Sequence, residues 1–200
     1  MLIGYIYILF SKKLNRQYKT KKDFQIDPVT KLDIKSEQII RKKIFKYFPD
    51  HNIIGEECKN KVTASQYTWV IDPIDGTKSM IMGLLTWSNL IGLYKNGECI
   101  LSWANFPKLK KYYIAYDNKS FVFQNKKLKK IKTNKNINLK NAKLTINTLH
   151  SLRRKKIFKY IMSFKGFFKV TGVDAYNFCS IAEGKFDILI ESGLKIVDIL

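Results

Sequence analysis

Two hundred residues, 46% hydrophobic and 14% aromatic, suffice for one packed domain or two small ones sharing a core. The 37 Lys+Arg against 16 Asp+Glu, a formal net charge of +21, would suit a polyanion; yet the basic residues are mostly lysines with no nucleic-acid module around them, so no nucleic-acid partner is expected. Three scattered cysteines argue against a disulfide scaffold and for a reducing cytoplasm. With only two histidines, a histidine zinc site or a Ser-His-Asp triad has little material, which leaves carboxylates and metal for any catalysis.

Residues 1–10 are apolar but too short to span a membrane, with no basic residue before them and no cleavage site after. They are expected to form a helix or strand, a membrane-proximal anchor being the lesser alternative, and no membrane partner is expected. Residues 19–27 are polar and turn-like. From Asp27-Pro28-Val29-Thr30-Lys31-Leu32-Asp33 onward, Ile40, Ile44 and Tyr47 or Phe48 recur at helical spacing up to Pro49. Asp33 thus stands at or near a helix start, where its ordinary structural role is an N-cap. Pro49-Asp50-His51-Asn52 reads as a turn. Ile53-Ile54 reads as a short strand delivering Gly55-Glu56-Glu57, and residues 58–66 as a polar loop.

The most informative stretch follows: Trp69-Val70-Ile71-Asp72-Pro73-Ile74-Asp75-Gly76-Thr77-Lys78-Ser79-Met80. Residues 67–71 are aromatic and β-branched, which favours a buried strand, and Pro73 lacks a ladder donor, so the strand is expected to end there. Asp72 and Asp75 are three apart, so one bend can aim both carboxylates and the Ile74 carbonyl at a common point. That all-oxygen cluster suits a hard cation, Mg2+ above all. Gly76 lets the backbone approach a ligand closely, and the amides of Gly76, Thr77 and Lys78, opening a helix, would face an anion beside the cation.

Beyond it, residues 86–94 and 98–105 flank Asn96-Gly97, a strong hairpin signal because a type I′ turn needs positive φ at both positions. Residues 112–116 and 120–124 make a second hairpin around Asp117-Asn118, and 142–147 a further strand. Lys126-Lys127-Leu128-Lys129-Lys130 and Arg153-Arg154-Lys155-Lys156 read as solvated charge. Residues 151–164 suggest a surface helix, with Leu152, Ile157, Phe158 and Ile161 on its apolar face. Gly172-Val173-Asp174 opens another helix, with Ala175, Phe178, Cys179 and Ala182 as one stripe and Gly184 as its stop. Asp174 is an N-cap by default. Residues 186–190 read as a buried strand leading into Glu191-Ser192-Gly193-Leu194-Lys195-Ile196-Val197-Asp198.

Read as W-V-I-D-P-I-D-G-T, residues 69–77 resemble, without a mismatch, the metal-binding motif of the inositol monophosphatase family of magnesium-dependent sugar phosphatases. Residues 27–33 resemble that family's D-x-V-T-x-x-D element, residues 55–57 its G-E-E element, and residues 191–198 its closing E-x-G-x-x-x-W-D. Lys22 falls where the family often carries a lysine near the site. The resemblance implies an α/β fold with α-β-α-β-α layers and mixed sheets. It implies one domain over 1–200, with an N-terminal α+β part to about 140 and a C-terminal α/β part from about 141, and without the family's C-terminal segment. It implies Mg2+ held by Glu56, Asp72, the Ile74 carbonyl, Asp75 and Asp198. Asp33 and Thr77 would act on the attacking water, and Gly76, Thr77, Asp174 and Glu191 would contact the substrate.

The expected activity is hydrolysis of a small phosphate monoester. Thr86-Trp87-Ser88-Asn89-Leu90-Ile91-Gly92-Leu93, with Lys78-Ser79 upstream, is similar to the histidinol-phosphate phosphatase branch, so histidinol phosphate is expected ahead of inositol monophosphate. The partner is then a small phosphorylated metabolite, and a homodimer is left open. Val197 in place of the family's aromatic, together with the shortened end, keeps alive an inactive remnant or partner subunit. A basic polyanion-binding protein is the last alternative.

Overall fold

β-Branched and aromatic residues alternating along the middle of the chain build its largest sheet. The computed structural model describes residues 16–20, 26–135, 137–149, 152 and 156–198; the expectations for residues 1–10, Lys22, 151 and 153–155 lie outside the described residues. Strands β3 (Asn52–Gly55), β4 (Tyr67–Asp75), β5 (Ser88–Lys95), β6 (Glu98–Phe106), β7 (Lys111–Tyr116), β8 (Lys119–Gln124) and β9 (Lys127–Ile131) form a seven-stranded sheet in sequence order. Only β3 and β4 are parallel within it. One face buries Ile53, Ile71, Ile91 and Trp103 against Ile40 and Ile44 of helix α1 (Lys31–Tyr47). The other buries Leu90, Phe106, Tyr113 and Val122 against Ala175 of α4 (Asp174–Ala182).

A second, parallel sheet has the order β11 (Phe167–Val170), β10 (Lys143–Ile146), β12 (Ile188–Ile190). Its Leu144 and Ile146 pack on Ile161 of α3 (Ile157–Met162), while Thr145, on the opposite face, bonds to Asn177 of α4. Helix α4 therefore lies between the two sheets, giving the expected α-β-α-β-α layering. Strands β1 (Arg16–Thr20) and β2 (Ile26–Thr30) pair separately as an antiparallel ladder. Among the described residues no helix is long and apolar enough to cross a membrane.

Several expectations are corrected. Ile26–Thr30 is a strand, where residues 19–27 were expected to be turn-like, because it finds a partner in Arg16–Thr20. Asp33 is the third residue of α1, inside its first turn, so it is no N-cap. Strand β4 does not end at Pro73: it runs to Asp75. Asp72 faces Leu90 and Asp75 faces Ser88, so β4 carries one extra residue there, and a bulge tolerates a missing ladder donor. Asp174 is the first residue of α4, after an extended Val173, and is likewise no N-cap.

Lysines 127, 129 and 130 form the edge strand β9, reached through Asn125 and Lys126 at positive φ. Edge lysines discourage further pairing. Strand β11 was not anticipated, and the expected surface helix is described as helix only over Ile157–Met162. The Asn96-Gly97 hairpin has positive φ at both positions, and α4 ends as expected at Gly184. There the Gly184 and Lys185 amides donate to the Ile181 and Ser180 carbonyls, a Schellman stop.

Candidate active site

The bulge in β4 is held from inside the sheet. Buried Asn89 donates to the Pro73 carbonyl at 2.7 Å and accepts from Asn105 at 3.0 Å, so the displaced backbone keeps its hydrogen bonds. Asp72 (2% exposed) turns back to accept the Ile74 N–H at 2.9 Å. Asp75 (5% exposed) points towards α4, accepting the Ser88 hydroxyl at 3.0 Å and the Ala175 N–H at 3.3 Å. That second bond places a carboxylate at the positive end of α4, which orders the helix against β4.

Gly76 follows with φ +76°, and a Cβ there would lie 3.0 Å from Val173, so the turn into α2 (Thr77–Ile81) needs glycine. The Thr77 hydroxyl lies 3.1 Å from Asp33 Oδ1 and equally far from the Ile74 carbonyl. Its single proton can serve either acceptor. Threonine and aspartate, 44 residues apart in sequence, are thus side by side.

The other acidic residues converge from three directions. Glu56, just past β3, is ion-paired with Lys195 Nζ. Asp198, in the 3-10 turn Ile196–Asp198, accepts the Lys195 N–H at 2.6 Å, and Val197 beside it is buried. Asp174 accepts from the Asn147 amide side chain, while Glu191 accepts the Asn147 backbone N–H at 3.2 Å.

Their charges act on one another. Burial raises Asp72 well above the ordinary aspartate range, and the charges of Asp75, Glu56 and Asp198 push the same way. Burial lifts Asp75 to about 7, against the opposing bonds from Ser88 and Ala175 and with help from Asp198 and Glu56. Burial followed by Asp75, Glu191 and Asp198 lifts Asp174 to about 8. Glu56, Asp72, Asp75, Asp174, Glu191 and Asp198 therefore form one electrostatic cluster at the carboxyl end of β4.

The chemistry of this donor set fits a hard cation, because buried carboxylates that repel one another are relieved by a positive ion and supply only oxygen. The arrangement is open as it stands: among the described residues no three His, Cys, Asp or Glu side chains are gathered closely enough to hold a metal ion. Sequence reasoning missed Asn147, which gathers Asp174 and Glu191; Asn89, which fixes the bulge; and Lys195, which sits on Glu56. A polar residue ending the 142–147 strand was the one available signal for Asn147.

Fold and site define a class of protein, a layered α/β protein whose main sheet ends in a cluster of carboxylates beside a glycine turn. Comparison with known sequences narrows it: the profile of the inositol monophosphatase family matches residues 5–200, and the chain belongs to that family. It is 34% identical over 193 residues to the fructose-1,6-bisphosphatase/inositol-1-monophosphatase of Aquifex aeolicus, covering 94% of this chain and 70% of that protein. It is 36% identical over 109 residues to the histidinol-phosphatase of Chlorobaculum parvum, covering 52% of this chain and 42% of that protein. Among solved structures, the Thermotoga maritima IMPase superposes with a TM-score of 0.82 at 25% identity, over 98% of this chain and 74% of that one. The chain thus spans only part of the length of the relatives it matches.

Proposed function

We propose that the chain is a Mg2+-dependent phosphatase acting on a small phosphate monoester, histidinol phosphate ahead of inositol monophosphate, in a reducing cytoplasm. The observation that carries this reading is the burial of Asp72 and Asp75 beside the Thr77–Asp33 hydrogen bond. Glu56, Asp72, the Ile74 carbonyl, Asp75 and Asp198 would hold the cation. When bound, it supplies a more acidic water and charge stabilisation for the leaving oxygen.

The remaining work falls to side chains and backbone. The Thr77 hydroxyl and Asp33 orient the attacking water, and Asp33 takes its proton. The Gly76 and Thr77 amides face the phosphoryl oxygens. Asp174 and Glu191, joined through Asn147, favour a leaving group carrying an amine or imidazole, because a cation suits two carboxylates. The 200 residues act in this reading as one domain, with an N-terminal part to about residue 140 and a C-terminal part from about 141.

A phosphate-release panel over histidinol phosphate, inositol monophosphate and fructose bisphosphate, with Mg2+ and with chelator, tests the proposal. Release confined to the Mg2+ arm supports it, and faster hydrolysis of inositol monophosphate reverses the substrate order. A second reading, a non-catalytic family member, draws on the open donor set and on Lys195 occupying Glu56. A folded protein that binds Mg2+ weakly and releases no phosphate would establish that alternative.

A further inference from the structure

We infer that Glu37 is a positioning residue, which fixes the backbone of the loop after β3 so that Glu56 is presented to the cation site. The inference rests on the reading of Glu56 as a ligand and adds a residue with no part in it so far.

Glu37 lies mid-way along α1 and is 0% exposed. A carboxylate is kept in such a place only when its oxygens are satisfied. Arg41, one turn on, donates through Nε to Oε1 at 2.6 Å. The Glu57 N–H donates to Oε2 at 2.7 Å, and the Cys58 N–H to Oε1 at 3.3 Å. Arg41 closes the contact from the other side, giving an N–H to the Cys58 carbonyl at 3.2 Å. One ion pair on a helix thus replaces the hydrogen bonds that a β-ladder would give residues 57 and 58.

Gly55 supplies a second observation on the same pair. A Cβ at that position would lie 1.9 Å from Glu37 Oε1, 2.4 Å from its Cδ and 2.7 Å from the Arg41 guanidinium. These contacts are with the ion pair itself, so a larger residue could not occupy position 55 while the pair stays docked. Gly55 is also the last residue of β3, in register with Ile71. Glu56 is therefore pinned on both sides, by the sheet through Gly55 and by Glu37 through Glu57.

A ligand must be held to within about half an ångström to bind well, and loss of a supporting contact behind a ligand typically weakens metal affinity about 10–100-fold. Stability alone does not account for an ion pair here. Replacing both members of a buried pair with apolar residues of similar volume is commonly neutral or stabilising.

Two readouts on the full chain test the inference: amide exchange of Glu57 and Cys58 in the metal-free protein, and Mn2+ binding by calorimetry. In Glu37→Gln both amides should exchange at least about tenfold faster, and Mn2+ should bind about 10–100-fold more weakly. Gly55→Ala should do the same, and the double variant should lose little more than either single one. If Glu37→Gln does not fold, the Glu37→Met/Arg41→Met pair, which leaves no unpaired charge, keeps the test available, with the same loosened loop and weakened binding expected. Wild-type exchange in the folded variants, or faster exchange with unchanged Mn2+ affinity, overturns the role. Glu56→Ala separates the two readings. Unchanged Mn2+ binding in that variant removes Glu56 as a ligand and the positioning role with it, whereas weakened binding there beside wild-type binding in Glu37→Gln overturns the positioning role alone.

Discussion

A carboxylate buried beside other carboxylates costs stability until something neutralises it, and Asp75 gives that cost a direction in pH. Its pKa is raised to about 7 in the folded protein, so between the ordinary aspartate value and about 7 the folded form holds a proton that the unfolded chain has released. Stability from this group is full below the ordinary value and is lost as pH rises through about 7, at about 1.4 kcal/mol per pH unit across that window. Asp75→Asn, in chelator, should therefore gain in melting temperature on the wild type from about pH 5 to about pH 8. A pH-independent difference would show that Asp75 is not raised. The Thr77–Asp33 contact makes a kinetic prediction: Thr77→Ala and Asp33→Asn should each lower turnover with metal affinity largely kept, and the double variant should lose little beyond the worse single one. Fully additive losses would mean that the two act separately. Asp72, Asp75 and Thr77 were proposed from the sequence because the whole string of residues 69–77 matches the family's motif, and the structure buries both aspartates at the bulge and sets the Thr77 hydroxyl beside Asp33. Glu37 was not singled out: it lies three residues before Ile40 and seven before Ile44, on the stripe that faces the sheet, but a lone glutamate on that stripe carries no sign of the amides it meets, which only the fold shows.

Strand β4 shows how a correct motif can sit on a misplaced boundary. Pro73 forbids a ladder donor, and the inference that the strand must stop there holds only if a partner demands that donor. Its neighbour β3 pairs only as far as Gly55 opposite Ile71, and the bulge against β5 absorbs the proline on the other side. The strand can therefore carry both aspartates. The price of that bulge is a carbonyl that needs a donor from outside the ladder, which Asn89 provides. Asn89→Ala would leave the Pro73 carbonyl and the Asn105 amide without this partner. It should cost about 2–3 kcal/mol in denaturant unfolding, in the range for buried groups left unsatisfied, and should weaken Mn2+ binding because Asp72 and Asp75 flank the bulge. Full retention of both would show that the bulge is held by the ladder alone. The Asn96-Gly97 turn and the Gly184 stop were readable because each needs a positive φ that glycine supplies. Strand β9 was not, because lysine-rich edges and solvated loops have the same composition.

Neither sheet completes the carboxylate cluster alone: Asp72 and Asp75 come from the seven-stranded sheet, whereas Asp174 and Glu191 come from α4 and the end of β12. A polar tie joins the far end of α4 to the seven-stranded sheet. Lys111 of β7 is only 4% exposed and donates to Glu183 at 2.6 Å, the Tyr113 hydroxyl donates to the same oxygen at 2.6 Å, and Lys185 lies 2.9 Å from it. For Lys111, burial outweighs the pairing and lowers its pKa, while the three donors hold Glu183 below the ordinary glutamate range despite its own desolvation. The layered order was legible through the resemblance of residues 69–77 and their companion elements to the family, but this tie was not, since its members lie some 70 positions apart in the chain. Glu183→Ala strands a buried ammonium and should cost about 3–5 kcal/mol at neutral pH. Because the folded pKa of Glu183 is depressed, its contribution is present above the ordinary glutamate value and is lost as pH falls through the folded one, so the gap between variant and wild type should narrow on acidification. Tyr113→Phe removes one donor of three and should cost less, about 1–2 kcal/mol. Denaturant unfolding across pH, with Mn2+ binding measured on the same variants, checks both parts. If α4 is registered by this tie, metal affinity falls with stability in Glu183→Ala; if affinity stays at the wild-type level, the Asp75 bond to the Ala175 amide holds the helix in place without it.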